Sequence, residues 1–406
     1  MRLGLFGCSC HRWKTDFFLN SASIKWLAAA SIFCIDPAIA DESRSGILAG
    51  AEADVLAYID YSAGQSPLAD DAESNYNRFT LTRGYFTVKK SAQSWFGVRI
   101  TLDATQDNTG DFKVREKYLY AELKAEGTGP FTDLKSEIGM GHIPWLDFEE
   151  HINPYRCQGT MAIERAGVFN SADLGVSLSG NFSGKLQEAK ARTGSSSYDG
   201  HYGSWHIGIY NGGGYHAPEN NINKTIEGRL TARPLPESAP GLQLSYFTIR
   251  GKGNVIKTDS TIYPDYLVHL GMISYENPRV TATGQIFITE GNAGGAWIDT
   301  TSGKELSTQG VSVFANINTS LLQDRLSVFG RYDMFDADTD DLIAGNTSYT
   351  MIFGGLAYDL YRGNLLLVTF ETTDYESDSG GKGKLPSPGL NLGDDQKFQI
   401  VYQLKI

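Results

Sequence analysis

The chain has 406 residues and a formal net charge of −12 at pH 7, from 47 acidic and 35 basic side chains. This acidic balance argues against nucleic acid as a partner, because nucleic-acid-binding proteins present clustered cations to phosphates. With 45 glycines, 21 tyrosines and 20 phenylalanines, only 13 prolines and no long helical periodicity, the composition indicates β structure.

The first forty residues have the order of a secretory signal peptide. Basic residues precede an apolar run from Trp26 to Ile35, and Pro37-Ala38-Ile39-Ala40 supplies the small residues of a cleavage site. We therefore predict a signal peptide over residues 1–40 and a mature chain over residues 41–406. Leu5-Phe6-Gly7 before Cys8 resembles a lipoprotein acylation box, but no apolar core lies upstream of it.

Removal of that leader would leave Cys157 without a disulfide partner in the exported chain. No nucleophile signature surrounds Cys157, so we interpret it as structural. The mature part has no apolar run of about 18 residues or more, which excludes helical membrane spans.

Most of the mature sequence alternates apolar and polar residues with the two-residue period of a strand. In the stretch from Phe96 to Asp103, for example, Val98 and Ile100 fall on one face, and Arg99 and Thr101 fall on the other. Such segments predict sixteen strands of an all-β, transmembrane antiparallel β-barrel, and even strand numbers are usual in single-chain bacterial barrels. They lie near residues 53–62, 79–89, 95–105, 114–125, 134–143, 173–186, 201–211, 223–233, 241–251, 265–276, 279–290, 308–319, 325–336, 348–361, 364–375 and 396–406.

The connections between these segments tend to alternate in length. Tight links such as Glu276-Asn277-Pro278 alternate with long polar links such as Ser62 to Arg78, as periplasmic turns and outer loops do. The link from Gln187 to Gly200 is long for a periplasmic turn. Either this link contains a small extra element, or the predicted end of a flanking strand is wrong.

The stretch from Pro144 to Ala172 lacks the strand pattern and follows the fifth predicted strand. We predict that it is the third outer loop, folded into the lumen so that it narrows the bore. The pore-constriction residues predicted on it are Asp147, Glu149, Glu150, Arg156, Glu164 and Arg165. The alternation of side chains predicts that Arg99, Asp103, Glu227, Arg229, Arg331 and Asp333 line the lumen, and it predicts the same inward face for Glu116.

The predicted constriction has a surplus of two acids, which favours weak selectivity that is neutral to mildly cation-preferring. In the alternative, these residues pair with one another and with the wall, and only pin the loop.

Three other kinds of chemistry have only partial signatures in the sequence. The acidic run Asp336 to Asp341 lacks the glycine and glutamate of a calcium loop, so we expect a solvated outer loop and no metal. Gly380 to Lys384 lacks the serine or threonine of a phosphate cradle and predicts a flexible external loop. No G-x-S-x-G motif accompanies the histidines, so we predict neither an enzyme nor a cofactor.

Several segments together resemble the phosphate-selective porin O and P family of outer-membrane channels. They are Ile138 to Gly180, Asn223 to Pro236, Glu276 to Gln285 and Phe329 to Asp338. The resemblance implies a sixteen-stranded pore, commonly trimeric, with a constriction shaped by the third loop. The chain departs from the family's pattern in its mixed inward charges, which weaken the case for phosphate selectivity, and in its last residue, Ile406, where such barrels usually end in an aromatic residue.

The resulting prediction is a porin of the bacterial outer membrane that passively admits small hydrophilic solutes and ions. Its expected partners are outer-membrane lipid, those solutes and two further copies in a homotrimer. The alternatives are an anion- or phosphate-selective channel, or a barrel of a different class that acts as an enzyme or adhesin.

Overall fold

The computed structural model describes residues 49–107, 109–255, 263–343 and 345–406. The predicted signal peptide and its three cysteines lie outside the described residues.

Sixteen antiparallel strands form one closed barrel, in which β1 pairs with both β2 and β16. This confirms the predicted strand number and fold class. None of the three helices described is long and apolar enough to cross a membrane. The elements are β1 Ala51–Leu68, β2 Ala72–Gln93, β3 Phe96–Gln106, β4 Phe112–Thr128, β5 Phe131–His142, α1 Leu146–Ile152, α2 Ala162–Arg165, β6 Ala172–Phe182, α3 Ala189–Thr193, β7 Gly203–Tyr210, β8 Thr225–Ala232, β9 Leu242–Lys252, β10 Asp265–Glu276, β11 Val280–Glu290, β12 Ser307–Asn318, β13 Leu326–Asp336, β14 Ser348–Tyr361, β15 Asn364–Tyr375 and β16 Asp395–Lys405.

Two ends of the barrel are distinguished by their connections. The loop end carries the links from odd to even strands, such as β5 to β6. The turn end carries the links from even to odd strands, together with the start of β1 and the end of β16. Closure leaves no unpaired strand edge, so the backbone hydrogen bonds of each strand are met by its two neighbours.

The predicted side-chain parity is confirmed on β3. Val98 and Ile100 point outward and are 39% and 41% exposed, whereas Thr101 points inward and is 2% exposed. The outer surface repeats this apolar pattern from strand to strand, with isoleucine, leucine and valine as its commonest exposed side chains.

The inner surface is divided into two unlike halves. From β9 to β14 the inward side chains include a patch of large apolar residues among smaller polar ones, whereas from β2 to β5 they are mainly tyrosines, arginines, lysines and acids. An apolar inner wall would be unfavourable against water, so this half requires a cover. The apolar half includes Phe247, Ile249, Val268, Leu270, Phe287, Phe314, Phe329 and Phe353.

Three sequence-based placements are wrong. The predicted long link from Ser62 to Arg78 is a hairpin, because β1 continues to Leu68 and keeps pairing with β2 down to a turn at residues 69–71. Glu116 points outward opposite Leu102, because a bulge at Thr101/Leu102 shifts the register of β4. The same bulge turns Lys117 inward, where it is buried.

The third wrong placement is the end of β6, which the sequence put at residue 186. The strand ends at Phe182, and the following link contains the short helix α3, so both explanations offered for the long link hold.

Candidate functional site

The segment 143–171, which we call the inner loop, packs its apolar side chains on the apolar half of the wall. Trp145 stacks on Phe247 with ring centroids 5.5 Å apart, and Tyr155 stacks on Phe329 at 4.2 Å. Trp145 is fully buried. Each large side chain buried in this way contributes roughly 1.5–3 kcal/mol, so burial of apolar surface seats the loop.

Hydrogen bonds fasten the inner loop to strands far apart in sequence. The Tyr155 hydroxyl donates to Asn316 of β12 at 3.0 Å, and the Gln158 amide donates to Glu371 of β15 at 2.8 Å. In return, Arg331 of β13 donates to the Thr160 carbonyl at 2.9 Å and Arg229 of β8 donates to the Pro144 carbonyl at 3.1 Å. These contacts place the loop against the inner face of the wall.

The side chains of helix α1 face two environments, the barrel wall and open space. Its buried residues include Leu146, Phe148 and Ile152, which face the wall. Asp147 and Glu150 are partly exposed and His151 is exposed, so this polar face lies away from the apolar wall.

Two of the six predicted constriction residues are anchored to the wall. The Glu149 carboxylate accepts from Trp145 Nε1 at 2.7 Å and from Gln285 Nε2 at 2.8 Å, and it is 5% exposed. Burial raises the pKa of Glu149 from its ordinary value of 4.5 to about 7, although Arg331 opposes the shift. Arg165 lies 3.8 Å from the Asp333 carboxylate of β13.

Three others form a charge cluster within the loop. Arg156 Nε lies 2.9 Å from Glu150, and its NH2 group lies 3.3 Å from Glu164. Two carboxylates therefore share one guanidinium, which gives the cluster an excess of one negative charge when both are ionised. Burial, together with the nearby Glu164 and Asp147 carboxylates, raises the pKa of Glu150.

Asp147, the sixth, is surrounded by donors. The Tyr198 hydroxyl donates to it at 2.5 Å, and ring nitrogens of His142 and His151 lie 3.7 and 3.6 Å away. Its pKa lies below the ordinary range because the two histidines and the tyrosine favour the carboxylate and outweigh its burial. The Asp147 side chain is 33% exposed and remains negatively charged.

The six predicted lumen-lining residues all point into the barrel, but the structure does not bring them to one site. Arg331 and Asp333 form an ion pair beneath the inner loop, with both side chains at most 3% exposed. Arg229 and Glu227 are buried on β8. Arg99 and Asp103 lie on the polar half of the wall, where Arg99 NH1 is 3.2 Å from His142 Nε2 and Asp103 accepts from Arg83 at 2.6 Å.

Sequence reasoning missed the row of cations on that polar half. Arg83 and Arg115 flank Asp103, and Lys117 lies over the Tyr85 ring at 4.6 Å. The strand parity of β2 contained the signal for Arg83. The inward position of Lys117 depends on the bulge in β4, which the alternation of residues along the strand does not indicate.

Two segments predicted to be external or solvated loops, residues 380–384 and 336–341, form ion pairs and hydrogen bonds with other parts of the chain. Lys382, in the glycine-rich stretch, forms ion pairs with Glu371 at 3.0 Å and with Asp395 at 2.6 Å. Gly383 approaches Gly167 of the inner loop so closely that a Cβ on Gly167 would lie 3.0 Å from the Gly383 backbone, which is a tight contact. In the acidic run, Asp340 pairs with Lys304 at 2.7 Å and Asp338 accepts from the Ile343 amide at 2.5 Å.

Open space lies beside the polar face of α1. A cavity of about 420 Å³ lies between α1, strands β5 to β8 and the link after β6, and another of about 370 Å³ runs along β2 to β5. Lys135, His142, Asp147 and His151 line both cavities, so the two adjoin. The arrangement can pass or hold small polar molecules between a partly acidic loop and a basic wall.

No family model matches the chain and no curated protein matches it, so the resemblance to the phosphate-selective porin family stays a prediction. Solved structures are similar to it in fold. The anion-selective porin from Comamonas acidovorans matches with a TM-score of 0.56 and 11% identity, over 88% of this chain and 100% of that chain.

Two further matches agree. OmpF of Salmonella typhi, in a complex with daunomycin, gives a TM-score of 0.57 at 11% identity, over 87% of this chain and 97% of that chain. The outer-membrane channel DcaP of Acinetobacter baumannii gives 0.51 at 11% identity, over 90% and 99%. At such identities these likenesses show the fold.

Proposed function

We propose that the chain is a porin of the bacterial outer membrane, which admits small hydrophilic solutes and ions by passive diffusion with no covalent step and no cofactor. The observation that carries this proposal is the adjoining open space between the polar face of α1 and the charged half of the wall. A sixteen-stranded barrel is wide enough to keep an aqueous lumen, and here the inner loop covers the apolar half of its wall.

The outward apolar side chains fit a lipid environment. A closed antiparallel barrel with an apolar outer face and a polar interior is the solution that lipid imposes on strands. Outer-membrane lipid is therefore one partner. A homotrimer is the assembly to test, because OmpT of Vibrio cholerae, a solved structure similar in fold, has a trimer form.

Passage of a solute would depend on the width of the pore and on the electrostatic field of the charged residues that line it. Asp147 and the Glu150–Arg156–Glu164 cluster place negative charge on the loop, and Arg83, Arg99, Arg115 and Lys117 place positive charge on the facing wall. Opposed charges across a narrow, poorly screened passage act on an ion from both sides and nearly cancel in their net effect. We therefore propose weak selectivity.

An anion-preferring channel is the second candidate. The observation that favours it is the surplus of cations on the polar half of the wall, where Arg83, Arg99, Arg115, Lys117 and Lys135 outnumber the carboxylates of Asp103, Glu122 and Glu137. Phosphate would be one such anion, and a block of chloride current by phosphate would support this candidate.

The test is a planar-bilayer recording of the purified, refolded protein in a salt gradient. We expect ohmic channels with a reversal potential near zero. A large reversal potential of the anionic sign would replace the first candidate by the second. Lack of conductance with recovery of soluble protein from the periplasm would contradict both, and lipid hydrolysis by the purified protein would indicate an enzyme.

A further inference from the structure

One link at the turn end differs from the other six. The other six links contain from two residues, between Gln93 and Phe96, to nine residues, between Ala232 and Leu242. The link formed by residues 183–202 contains twenty. We call this segment the inner link. It has its own structure, with α3 and a bridge that pairs Lys185 with Gly200.

The inner link is fixed to the barrel at several points. The Gly184 amide donates to the Thr132 hydroxyl of β5 at 2.8 Å, and Arg233, which follows β8, donates to the Gly200 carbonyl at 3.2 Å. Arg192 donates to the carbonyls of Pro236 and Glu237, in the next turn, at 2.7 and 2.9 Å. A loop that only spanned two strands would need none of these contacts.

Tyr198 is the point where the inner link meets the inner loop. Its hydroxyl donates to Asp147 at 2.5 Å, and its ring meets Phe148 edge-on at 5.0 Å. The Arg229 guanidinium lies 5.0 Å from the same ring. Burial, together with the nearby Asp147 carboxylate, raises the pKa of Tyr198 well above its ordinary value, so the hydroxyl stays protonated and remains a donor.

The backbone at Tyr198 supports the importance of this contact. Its φ of 51° lies in the left-handed region, which is unfavourable for a residue with a large side chain. Such a conformation persists where surrounding contacts hold it, and Tyr198 has contacts with Asp147, Phe148 and Arg229.

The inner link also divides the space below the inner loop. Ser197, Tyr198 and Asp199 line the cavity of about 420 Å³ beside β5 to β8. Thr193, Gly194 and Ser195 line a separate cavity of about 340 Å³ on the opposite side, and His151 of α1 borders both. A solute that passes α1 therefore meets the inner link next.

We infer that the inner link is a second pore-narrowing element, and that Tyr198 is the positioning residue through which it holds the Asp147 carboxylate at the constriction. This inference rests on the proposed channel function and assigns its constriction to two segments from opposite ends of the barrel. The solutes affected are the small hydrophilic molecules and ions of that proposal.

The first test compares Tyr198→Phe, Asp147→Asn and the double variant in planar bilayers. Tyr198→Phe keeps the ring but removes the hydrogen bond that holds the charged Asp147 carboxylate at the constriction, so the reversal potential should move toward anions. Asp147→Asn removes the charge itself and should also move the reversal potential toward anions. In the Asp147→Asn background, Tyr198→Phe should have no further effect, because the two side chains act as one unit.

A matched control is Tyr202→Phe, since Tyr202 is on the same link but is 52% exposed. It should leave the reversal potential unchanged. An effect of Tyr198→Phe of equal size with and without the Asp147 carboxylate would overturn the positioning role, because a merely structural tyrosine would act independently of that charge.

The second test places a cysteine at Ser197, which lines the larger cavity. Attachment of a bulky thiol reagent there should lower single-channel conductance roughly twofold or more, as expected when a pore wall is thickened. The native Cys157 is buried, and burial raises the pKa of its thiol to about 12, so it should not react. Ser320→Cys, in the exposed turn 319–325, is the control and should give no change.

The two proposals fail differently. The inference would be overturned, and the channel function retained, if the channels conduct normally, Tyr198→Phe leaves the reversal potential unchanged and the label at Ser197→Cys leaves the conductance unchanged. A protein that folds into membranes without conductance would contradict the channel function and the inference with it.

Discussion

The Arg331 guanidinium donates to both oxygens of the Asp333 carboxylate, at 2.7 and 2.5 Å, on the inner face of β13. Arg331 also donates to the Thr160 carbonyl, and Asp333 lies 3.8 Å from Arg165, so the pair joins the wall to the inner loop at two points. The loop is therefore held by charge as well as by apolar packing.

Asp333→Ala should detach this part of the inner loop, because it leaves Arg331 and Arg165 without their carboxylate. Removal of one partner of a buried pair typically costs about 3–5 kcal/mol. We expect the folded band of unboiled protein to be lost at a lower temperature on gels, and open-channel noise to rise. Arg279→Ala, which breaks a pair with Asp324 whose side chains are 56% and 62% exposed, is the control and should change neither.

Lysine at Val98 or Ile100 should impair assembly, because both side chains point to the proposed lipid face. A charge near the middle of that face costs roughly 2–4 kcal/mol in transmembrane barrels. The yield of heat-modifiable protein in the outer-membrane fraction measures the effect. Thr101 is a poor inward control, since it is buried and its hydroxyl pairs with Thr87 at 2.9 Å.

Thr105→Lys, on the same strand and less buried, is the better control for those variants. Equal yields for the outward and inward lysines would mean that the outer face of β3 does not meet lipid.

The packing of the inner loop against the wall should become less stable as pH rises from about 4.5 to about 7. Burial raises the pKa of Glu149 to about 7, so the folded site binds a proton that the detached loop would release. The stabilisation is complete below the ordinary pKa and is lost as pH rises through the folded value. Open-channel noise should increase over this window in the native protein and stay flat in Glu149→Gln, and the same slope in both would refute this role for Glu149.

Lys117→Met should shift the reversal potential toward cations with conductance retained, because it removes one cation from the charged half of the wall. The matched control is Lys113→Met on the same strand, whose side chain is 71% exposed near the loop end. There the charge is screened within about 10 Å at 0.1 M salt, so no shift is expected. A shift of equal size from both variants would show that surface charge, and not the lumen, sets selectivity.

The sequence by itself determined the wall of this protein. A strand exposes alternate side chains to opposite faces, so the period of two predicts both the strand and its outward residues wherever the register is regular. Val98, Ile100 and Thr101 lie as predicted for that reason. Prediction was weaker at irregularities, since the bulge that exchanges Glu116 for Lys117 depends on how β4 pairs with β3.

The tertiary structure alone decided which loop residues face the passage. Glu149 and Glu150 are neighbours in sequence, yet the first is buried against Gln285 and the second pairs with Arg156 at the partly exposed face of α1. The rotation of that helix is set by packing on Phe247 and its neighbours on distant strands, which no local pattern encodes. The meeting of Tyr198 with Asp147 has the same origin, because it joins segments from opposite ends of the barrel that come together only when the barrel closes.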